Sequence, residues 1–327
     1  MASVSERKLR LGVAGLGRAF SVMLPTFTAD PRVTLVAAAD TRVDARQRFS
    51  ADFSARSYAS VEELCTDPDI EAIYIATPHQ YHAQHAALAA QHGKHLLIEK
   101  PMALTLEACS GIIDEAGRAG VHVVVGHSHS FDAPVLRLRA LVAGGDFGRV
   151  RMINAINYTD YLYRPRRPEE LDTAKGGGAV FNQAAHQVDI VRLIGGGQVA
   201  SVRAASGSWD AGRPTEGAYA ALLTFKGGAF ASLTYSGYGH FDSDEFEGWV
   251  GEMGDTKTPY ARERDRFGTP QDEVAFKDAR NYGGAEFRPP PAHSAAHQHF
   301  GTLLVSSFSD RIRASMHWCN RSWGTLI

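Results

Sequence analysis

The sequence predicts a doubly wound parallel α/β domain followed by an α+β domain with a large, mostly antiparallel open sheet. Up to residue 126, short apolar runs alternate with helical patterns, which is typical of buried parallel sheets. Beyond residue 130, apolar and polar residues alternate along longer segments, which is typical of antiparallel strands with one exposed face. The length of 327 residues suits about two domains, which we place at residues 1–127 and 128–327.

Short apolar runs form the predicted strands of the first domain, at residues 9–14, 33–39, 72–76, 95–98 and 121–125. Helical patterns lie between them, at residues 20–29, 44–53, 79–92 and 106–119. Pro31, Gly93 and Gly120 end three of these helices. Ligands bind at the carboxyl ends of the strands in such sheets, so the segments that follow the strands hold the candidate site.

Longer alternating segments form the predicted strands of the second domain, at residues 149–158, 199–208, 217–225 and 229–238, with helices at 134–144 and 179–193. Residues 253–291 are polar and rich in glycine, proline and charge, which predicts a long loop. The alternation stops after Val305, so an irregular tail is expected at 311–327, and its effect on activity stays open. The open sheet face needs cover, which predicts a homo-oligomer, either a dimer or a tetramer.

Composition excludes several classes of function. The formal net charge of −2 gives no indication of nucleic acid or a membrane surface as a partner. No apolar run reaches the roughly 18 residues of a membrane-spanning helix, and the polar start of the chain shows no signal-peptide pattern. Cys65, Cys109 and Cys319 form no CxxC pair, which favours a reducing compartment, and we expect a cytoplasmic protein.

The turn after the first predicted strand carries a partial dinucleotide-binding motif. Gly15 and Gly17 supply the first two glycines of G-x-G-x-x-G, where bare backbone lets a pyrophosphate approach the N-terminus of the next helix. Phe20 occupies the third position, which serves helix–strand packing more than phosphate contact. Asp40, after the second strand, can accept hydrogen bonds from the adenosine ribose. The pattern predicts a Rossmann domain, whereas the alternative is a structural turn followed by a helix-capping aspartate.

Asp40 favours NAD over NADP, because its carboxylate repels a 2′-phosphate. Arg42 lies two residues further on and can offset that repulsion, so NADP stays open as an alternative. The candidate cofactor-binding residues of this segment are Gly15, Leu16, Gly17, Arg18, Ala19, Phe20, Asp40 and Arg42.

A charged pair followed by proline closes the fourth predicted strand. With three further motifs, it resembles the Gfo/Idh/MocA oxidoreductase family. The motifs occur in the order of that family: the Gly15/Gly17 turn, Ala76-Thr77-Pro78 with His82, Glu99-Lys100-Pro101, and Gly176-Gly177-Gly178 leading to His186-Gln187-Val188-Asp189. The resemblance implies a nicotinamide-dependent dehydrogenase acting on a small-molecule substrate. It places at the cofactor Thr77, Pro78, His82, Glu99 and Lys100.

The resemblance also implies which residues are catalytic. It makes Lys100 the catalytic lysine, near the nicotinamide and the substrate hydroxyl, and His186 the proton acceptor of a D-x-x-x-H motif. Asn182 stands at the aspartate position and cannot take a proton at neutral pH, so we expect it to orient the substrate. We favour Lys100 as the donor to a developing alkoxide and His186 as the base, since an imidazole has a pKa near 6.5. Which of the two takes the proton stays open.

Helical spacing places Asn182, His186 and Asp189 at i, i+4 and i+7, so that they share one face of the predicted helix. Such a face can present a polar row to a cleft. The alternative is that His186 is a structural histidine paired with Asp189.

The segment 157–171 brings tyrosines and arginines close together. Arginine binds carboxylates through a bidentate fork, and tyrosine can flank a flat ring. This favours a ring with carboxylates as the substrate, whereas the alternative is a solvated loop in which Arg166 and Arg167 pair with Glu169 and Glu170. The candidate substrate-binding residues are Tyr163, Arg164, Arg166, Arg167, Asn182 and His186.

This segment, with residues 239–245 and 297–300, resembles the phthalate dihydrodiol dehydrogenase branch of the family. The resemblance implies NAD-dependent oxidation of cis-4,5-dihydroxy-4,5-dihydrophthalate to 4,5-dihydroxyphthalate. Two alternatives stay open: a sugar, inositol or other polyol dehydrogenase of the same family, and a dinucleotide-binding sensor without catalysis.

Histidine groups raise the question of a metal. The groups His79/His82/His85, His127/His129 and His293/His297/His299 lack the acidic or cysteine complement of a closed zinc site. We therefore expect no functional metal.

Overall fold

The computed structural model describes residues 7–260, 269–289 and 299–308. The chain forms two compact units. The first comprises Met1–Gly126 with Gln271–His293, and the second comprises His127–Pro270 with Ser294–Ile327. The first boundary lies next to the expected one, but the segment Gln271–His293 groups with the first unit, which a contiguous division does not allow.

A parallel sheet forms the centre of the first unit. Its strands within the described residues are β1 (Leu9–Ala14), β2 (Val33–Ala39), β3 (Arg56–Tyr58), β4 (Ala72–Ile75), β5 (His95–Glu99) and β6 (Val123–Gly126). They lie in the order β3-β2-β1-β4-β5-β6, and every neighbouring pair is parallel. The reversal of direction in strand order at β1 and β4 is that of a doubly wound sheet, which confirms the predicted fold class of this part.

Helices connect these strands: α1 (Arg18–Ala29), α2 (Val43–Phe53), α3 (Val61–Thr66), α4 (His82–Gln91) and α5 (Leu106–Ala119). Side chains of α1 and α2 pack in one apolar cluster with the sheet, and side chains of α3, α4 and α5 pack in another. Local capping sets two of the boundaries. The Thr105 hydroxyl accepts from the Ala108 N–H at the start of α5, and Gly120, at φ 66°, ends that helix.

The second unit is a mixed sheet packed against two helices. The helices are α6 (Ala133–Gly144) and α7 (Ala185–Ile194), and the strands are β7 (Arg149–Tyr158), β8 (Val199–Gly207), β9 (Ala218–Phe225), β10 (Phe230–Ser236) and β11 (Thr302–Phe308). The order is β11-β7-β10-β9-β8, in which the β10–β7 pair is parallel and the other pairs are antiparallel. The prediction of an α+β domain with a mostly antiparallel sheet is confirmed.

One expectation about the later part of the chain is wrong. The segment predicted as a loop, residues 253–291, contains the helix α8 (Pro270–Arg280). Its first turn carries Asp272 and Glu273 and its last turn Lys277 and Arg280, which complements the helix dipole. After this helix, Tyr282 is 0% exposed in the first unit. The polar composition hid a segment that is anchored by very few apolar side chains.

No helix within residues 7–260, 269–289 and 299–308 is long and apolar enough to cross a membrane. The expected tail at 311–327 lies outside the described residues.

Candidate active site

The turn between β1 and α1 is shaped by two glycines with different roles. Gly15 has φ 95°, and a Cβ there would lie 2.7 Å from the Ala76 carbonyl oxygen, so this position requires glycine. At Gly17, no atom of the described residues lies within 4 Å of the position that a Cβ would occupy. Gly15 therefore packs the turn onto the end of β4, while Gly17 leaves open space at the start of α1.

The N-terminus of α1 suits an anion. No side chain caps Gly17 within the described residues, and the first turn carries no acidic side chain. The backbone N–H groups of this twelve-residue helix and its dipole attract negative charge. The open space at Gly17 and these amides together fit a dinucleotide pyrophosphate.

Asp40 connects the glycine turn to β2. Its carboxylate accepts hydrogen bonds from the Leu16 N–H at 2.7 Å and from the Arg42 N–H at 2.8 Å. The Arg42 guanidinium donates to the carbonyl oxygens of Leu16 at 2.9 Å and Tyr282 at 3.1 Å. A carboxylate offers about four lone-pair sites, so Asp40 keeps capacity for ribose hydroxyls. Arg42 is used in holding the turn, which fits NAD better than a 2′-phosphate.

Phe20, expected at the cofactor, has its side chain in the core. It is 0% exposed and packs edge-to-face on Tyr282, with ring centroids 5.1 Å apart. The missing third glycine is thus replaced by a packing residue whose partner comes from the returning segment. Ala19 beside it is half-buried and Arg18 is exposed.

Two segments that follow β4 and β5 carry the other residues expected at the cofactor. β4 and β5 are adjacent and parallel, with Ile75 opposite Ile98, so Thr77-Pro78 and Glu99-Lys100 lie at the same edge of the sheet. The Tyr74 hydroxyl donates to the Glu99 carboxylate at 2.5 Å. Burial raises the pKa of Tyr74 well above its usual value, and so does the neighbouring Glu99 carboxylate, so this hydroxyl stays a donor.

Lys100 is half-buried and is followed by a cis peptide bond to Pro101. His82, also expected at the cofactor, is 0% exposed, and both of its ring nitrogens face carbonyl oxygens. Sequence reasoning did not identify Tyr74, since a tyrosine within an apolar strand carries no local signal of its partner.

The helix that carries His186 begins irregularly. Residues Val180–Ala184 form a π-helical turn, and α7 follows from Ala185. The Asn182 side-chain amide donates to the carbonyl oxygens of Gly176 at 3.1 Å and Gly178 at 2.9 Å. Regular α-helical spacing therefore does not describe the first part of the predicted polar row, and Asn182 holds the glycine segment.

The triple glycine has a physical basis in this unit. A Cβ at Gly177 would lie 2.5 Å from the Glu170 carbonyl oxygen, and Gly178 has φ 82°. The Glu216 carboxylate accepts from the Val180 N–H at 3.0 Å and from the Thr173 hydroxyl at 2.6 Å. Glu216 thus caps the π-helical turn from a distant part of the chain, and a lone glutamate gave no sequence signal of that role.

His186 lies in an aromatic setting. It is 7% exposed, and its ring centroid is 4.4 Å from that of His129 and 4.9 Å from that of Phe300. The Ser130 hydroxyl and the Arg192 guanidinium contact Asp189, so that carboxylate has other partners than the one expected for a structural histidine pair.

His129 adds charge to this setting: its Nδ1 lies 2.8 Å from the Asp132 carboxylate and its Nε2 lies 3.5 Å from the Glu252 carboxylate.

The arginine-rich segment is held by contacts within the second unit. Arg164 donates to Asp160 at 2.9 Å, and the Tyr163 hydroxyl donates to Asp210 at 2.8 Å. The Arg166 guanidinium donates to the Tyr161 carbonyl at 2.6 Å and lies 3.8 Å above that ring.

Glu170 is shared by the other two arginines: it lies 3.7 Å from the Arg166 guanidinium and accepts from the Arg167 N–H at 2.6 Å. These contacts favour part of the alternative interpretation, in which Arg166 pairs with Glu170. Arg164 keeps 37% side-chain exposure and remains the best candidate for a substrate carboxylate.

The described residues contain no group of three or more His, Cys, Asp or Glu side chains that could hold a metal ion. His293 and His297 lie outside the described residues.

Two family matches cover most of the chain. Residues 9–127 match an oxidoreductase family with an NAD-binding Rossmann fold, and residues 135–250 match the GFO/IDH/MocA C-terminal domain. The sheet order, the glycine turn and these matches define an NAD-binding oxidoreductase. The chain belongs to the Gfo/Idh/MocA oxidoreductase family. The resemblance, the class of dehydrogenase acting on CH–OH groups, and NAD as cofactor are thereby confirmed.

The chain is similar to several known proteins along most of its length. The 1-carboxy-3-chloro-3,4-dihydroxycyclohexa-1,5-diene dehydrogenase of Comamonas testosteroni is 50% identical over 305 residues, which cover 91% of this chain and 77% of that protein. A crystal structure of a protein from Bordetella bronchiseptica RB50 is 44% identical with a TM-score of 0.84, covering 92% of this chain and 79% of the other. GenD2 from gentamicin A biosynthesis, solved with NAD, is 25% identical with a TM-score of 0.67, covering 73% and 68%.

Proposed function

We propose that the protein oxidises a ring cis-dihydrodiol that carries carboxylates, and that its substrate is cis-4,5-dihydroxy-4,5-dihydrophthalate. The observation that carries this proposal is the 50% identity to a dehydrogenase whose name specifies a carboxylated dihydroxycyclohexadiene. Oxidation of one ring alcohol gives a ketone, which enolises to an aromatic catechol. Aromatisation drives the reaction forward, and bound NAD supplies the hydride acceptor.

Lys100 and His186 divide the proton chemistry in this proposal. The Lys100 ammonium donates a hydrogen bond to the oxygen that develops negative charge, and His186 takes the hydroxyl proton. Lys100 lies at the carboxyl edge of a doubly wound sheet, which supports a role at the ligand. His186 is set among aromatic rings and the His129–Asp132 pair, which supports an oriented imidazole.

Arg164 recognises a ring carboxylate in this proposal. Its Nε donates to Asp160 at 2.9 Å, which fixes the guanidinium plane, and a guanidinium carries five N–H donors. A fixed, partly exposed fork of this kind suits a carboxylate better than a sugar hydroxyl.

A substrate panel tests the proposed reaction. Purified protein with NAD is mixed with the phthalate cis-dihydrodiol, a monocarboxylate cis-dihydrodiol, myo-inositol and glucose, and NADH formation is followed by absorbance. We expect the highest kcat/KM with the dicarboxylate. Turnover of a polyol without turnover of either dihydrodiol would favour the polyol alternative, and NADH binding without any turnover would favour a sensor.

The variant Lys100→Met tests the proposed role of the ammonium. We expect kcat to fall by about 10²–10⁴-fold, the range of a lost proton-transfer or charge-stabilising group. The dissociation constant of NADH, measured by fluorescence, changes little. The matched control is Lys226→Met, since Lys226 is exposed in the turn between β9 and β10. Retained turnover in Lys100→Met removes the lysine from the mechanism.

A homo-oligomer also belongs to this proposal. Val202 on β8 is 62% exposed and Leu222 on β9 is 46% exposed, and such apolar side chains on one sheet favour a covered face. Light scattering after size-exclusion chromatography tests it, and a monomer at micromolar concentration contradicts it.

Cysteine usage supports the proposed reducing, cytoplasmic location. Cys65 and Cys109 are free thiols, and burial raises the pKa of Cys65 to about 12. Cys319 lies outside the described residues.

A further inference from the structure

We propose that His82 is a positioning residue that ties the segment carrying Lys100 to the segment that follows β4. The proposal rests on the proposed function, because Lys100 is the group that His82 would position. His82 touches backbone rather than reacting atoms, so its role is distinct from catalysis.

The contacts of His82 join two neighbouring strand ends. His82 is the first residue of α4 and is 0% exposed. Its Nδ1 lies 2.8 Å from the Pro101 carbonyl oxygen and its Nε2 lies 2.9 Å from the Thr77 carbonyl oxygen. Thr77 follows β4, and Pro101 follows β5 and Lys100. One buried ring therefore fixes the separation of two backbone segments at the ligand edge of the sheet.

The chemistry of imidazole explains why this arrangement holds backbone. Both partners are carbonyl oxygens, so the ring acts here as a donor. A neutral ring donates one N–H and meets the other carbonyl by contact, whereas a protonated ring donates to both. Burial lowers the pKa of His82, so one N–H···O bond and close packing operate at neutral pH. A histidine used in this way is poorly placed to bind a cofactor with its side chain.

The same segment also carries the glycine turn. The Ala76 carbonyl oxygen lies 2.7 Å from where a Gly15 Cβ would be, so the turn packs directly on the residue before Thr77. Contacts thus run from the glycine turn through Ala76 and Thr77 to His82, and on to Pro101 and Lys100. A displacement of about 1 Å at a reacting group can cost about 10²-fold in rate, so this connection bears on turnover.

The experiment compares His82→Ala and His82→Gln with the control His92→Ala. His92 is exposed near the end of the same helix and contacts its own helix at the Leu88 carbonyl, at 2.9 Å. Steady-state kcat, KM, the NADH dissociation constant and the thermal midpoint are measured for each. We expect His82→Ala to lower kcat by about 10–100-fold, with NADH affinity within about threefold (about 0.6 kcal/mol at RT ≈ 0.59). His82→Gln should recover part of kcat, because its amide can donate to one carbonyl.

A structural role alone predicts a different outcome: NADH affinity, KM and the thermal midpoint fall together, and His82→Gln gives no recovery of kcat. That outcome overturns the proposal, as does an unchanged kcat in His82→Ala.

A second readout separates this proposal from the proposed function. Hydrogen exchange of the peptide spanning residues 99–104 is measured with NADH bound, and it needs no substrate. Faster exchange in His82→Ala than in His92→Ala supports the proposal even if the protein oxidises a different alcohol, and equal exchange overturns it. Failure of the proposed function shows instead as absence of turnover in the unsubstituted protein on the dihydrodiols.

Discussion

Replacing Asn182 with aspartate would restore the acid of the D-x-x-x-H pattern, yet we expect Asn182→Asp to lower both stability and turnover. The Asn182 amide donates to the carbonyl oxygens of Gly176 and Gly178, at 3.1 and 2.9 Å. An ionised carboxylate has no proton to donate and would face these oxygens with like partial charge. The glycine segment and the π-helical turn would then separate.

The magnitude follows from the two bonds. Each contributes about 0.5–1.5 kcal/mol to stability, so their loss costs about 1–3 kcal/mol. Asn182 is partly buried, and a carboxylate in that place adds a desolvation cost. Asn182→Ala removes the donors without adding charge and separates these two contributions.

Urea unfolding across pH measures the effect. In Asn182→Asp, the carbonyl oxygens raise the pKa of the new carboxyl above its unfolded value of about 3.9. The raised pKa means that the folded state holds the proton more tightly, so stability is retained below about pH 4 and is lost as pH rises through the folded pKa. Asn182→Ala should lack this additional pH dependence.

The contrary result is clear. If Asn182→Asp is as stable as the unsubstituted protein and turns over substrate faster, the position serves as a titrating acid rather than as a backbone donor. The reasoning about the glycine segment would then fail.

Two further predictions concern the first unit. Tyr282→Ala should lower the free energy of unfolding by about 3–5 kcal/mol in urea titrations, because the fully buried ring packs on Phe20, and a loss below about 1 kcal/mol would show that the returning segment is not part of this core. Burial lowers the pKa of His82 and of His85, so the unfolded chain binds more protons and the free energy of unfolding should fall as pH drops below about 6.5; His85→Gln should weaken that dependence, and an unchanged slope would contradict the argument.

The sequence predicted the parallel sheet because its strands are continuous apolar runs whose identity does not depend on distant partners. β3, with three residues, was missed because so short a strand has no pattern of its own. The helix α8 was missed because its polar residues suit solvent, while its anchor, Tyr282, acts through a contact with Phe20 that lies far away in sequence.

The candidate site was predictable only where residue type alone indicates chemistry. Gly15, Gly17 and Lys100 stand at the carboxyl edge of the sheet, as their positions after strands predicted. Glu216 and Tyr74 could not be found in this way, since each acts on a group supplied by another segment of the chain. The π-helical turn could not be foreseen from spacing, because its register depends on Asn182 and Glu216 holding the preceding glycines.

His82 and Asn182 belong to motifs of the family, and both direct nitrogen toward backbone carbonyl oxygens. Lys94, which belongs to no motif, does the same at the carbonyls of Asp67 and Ile70, at 2.6 and 2.9 Å. A titratable or amide side chain in a motif is therefore no evidence by itself of contact with a substrate. When its nitrogen meets carbonyl oxygens in a buried place, replacement acts through backbone geometry. Such a replacement should change kcat without adding a new ionisation to the pH profile, whereas replacement of a proton-transferring group such as His186 should remove one.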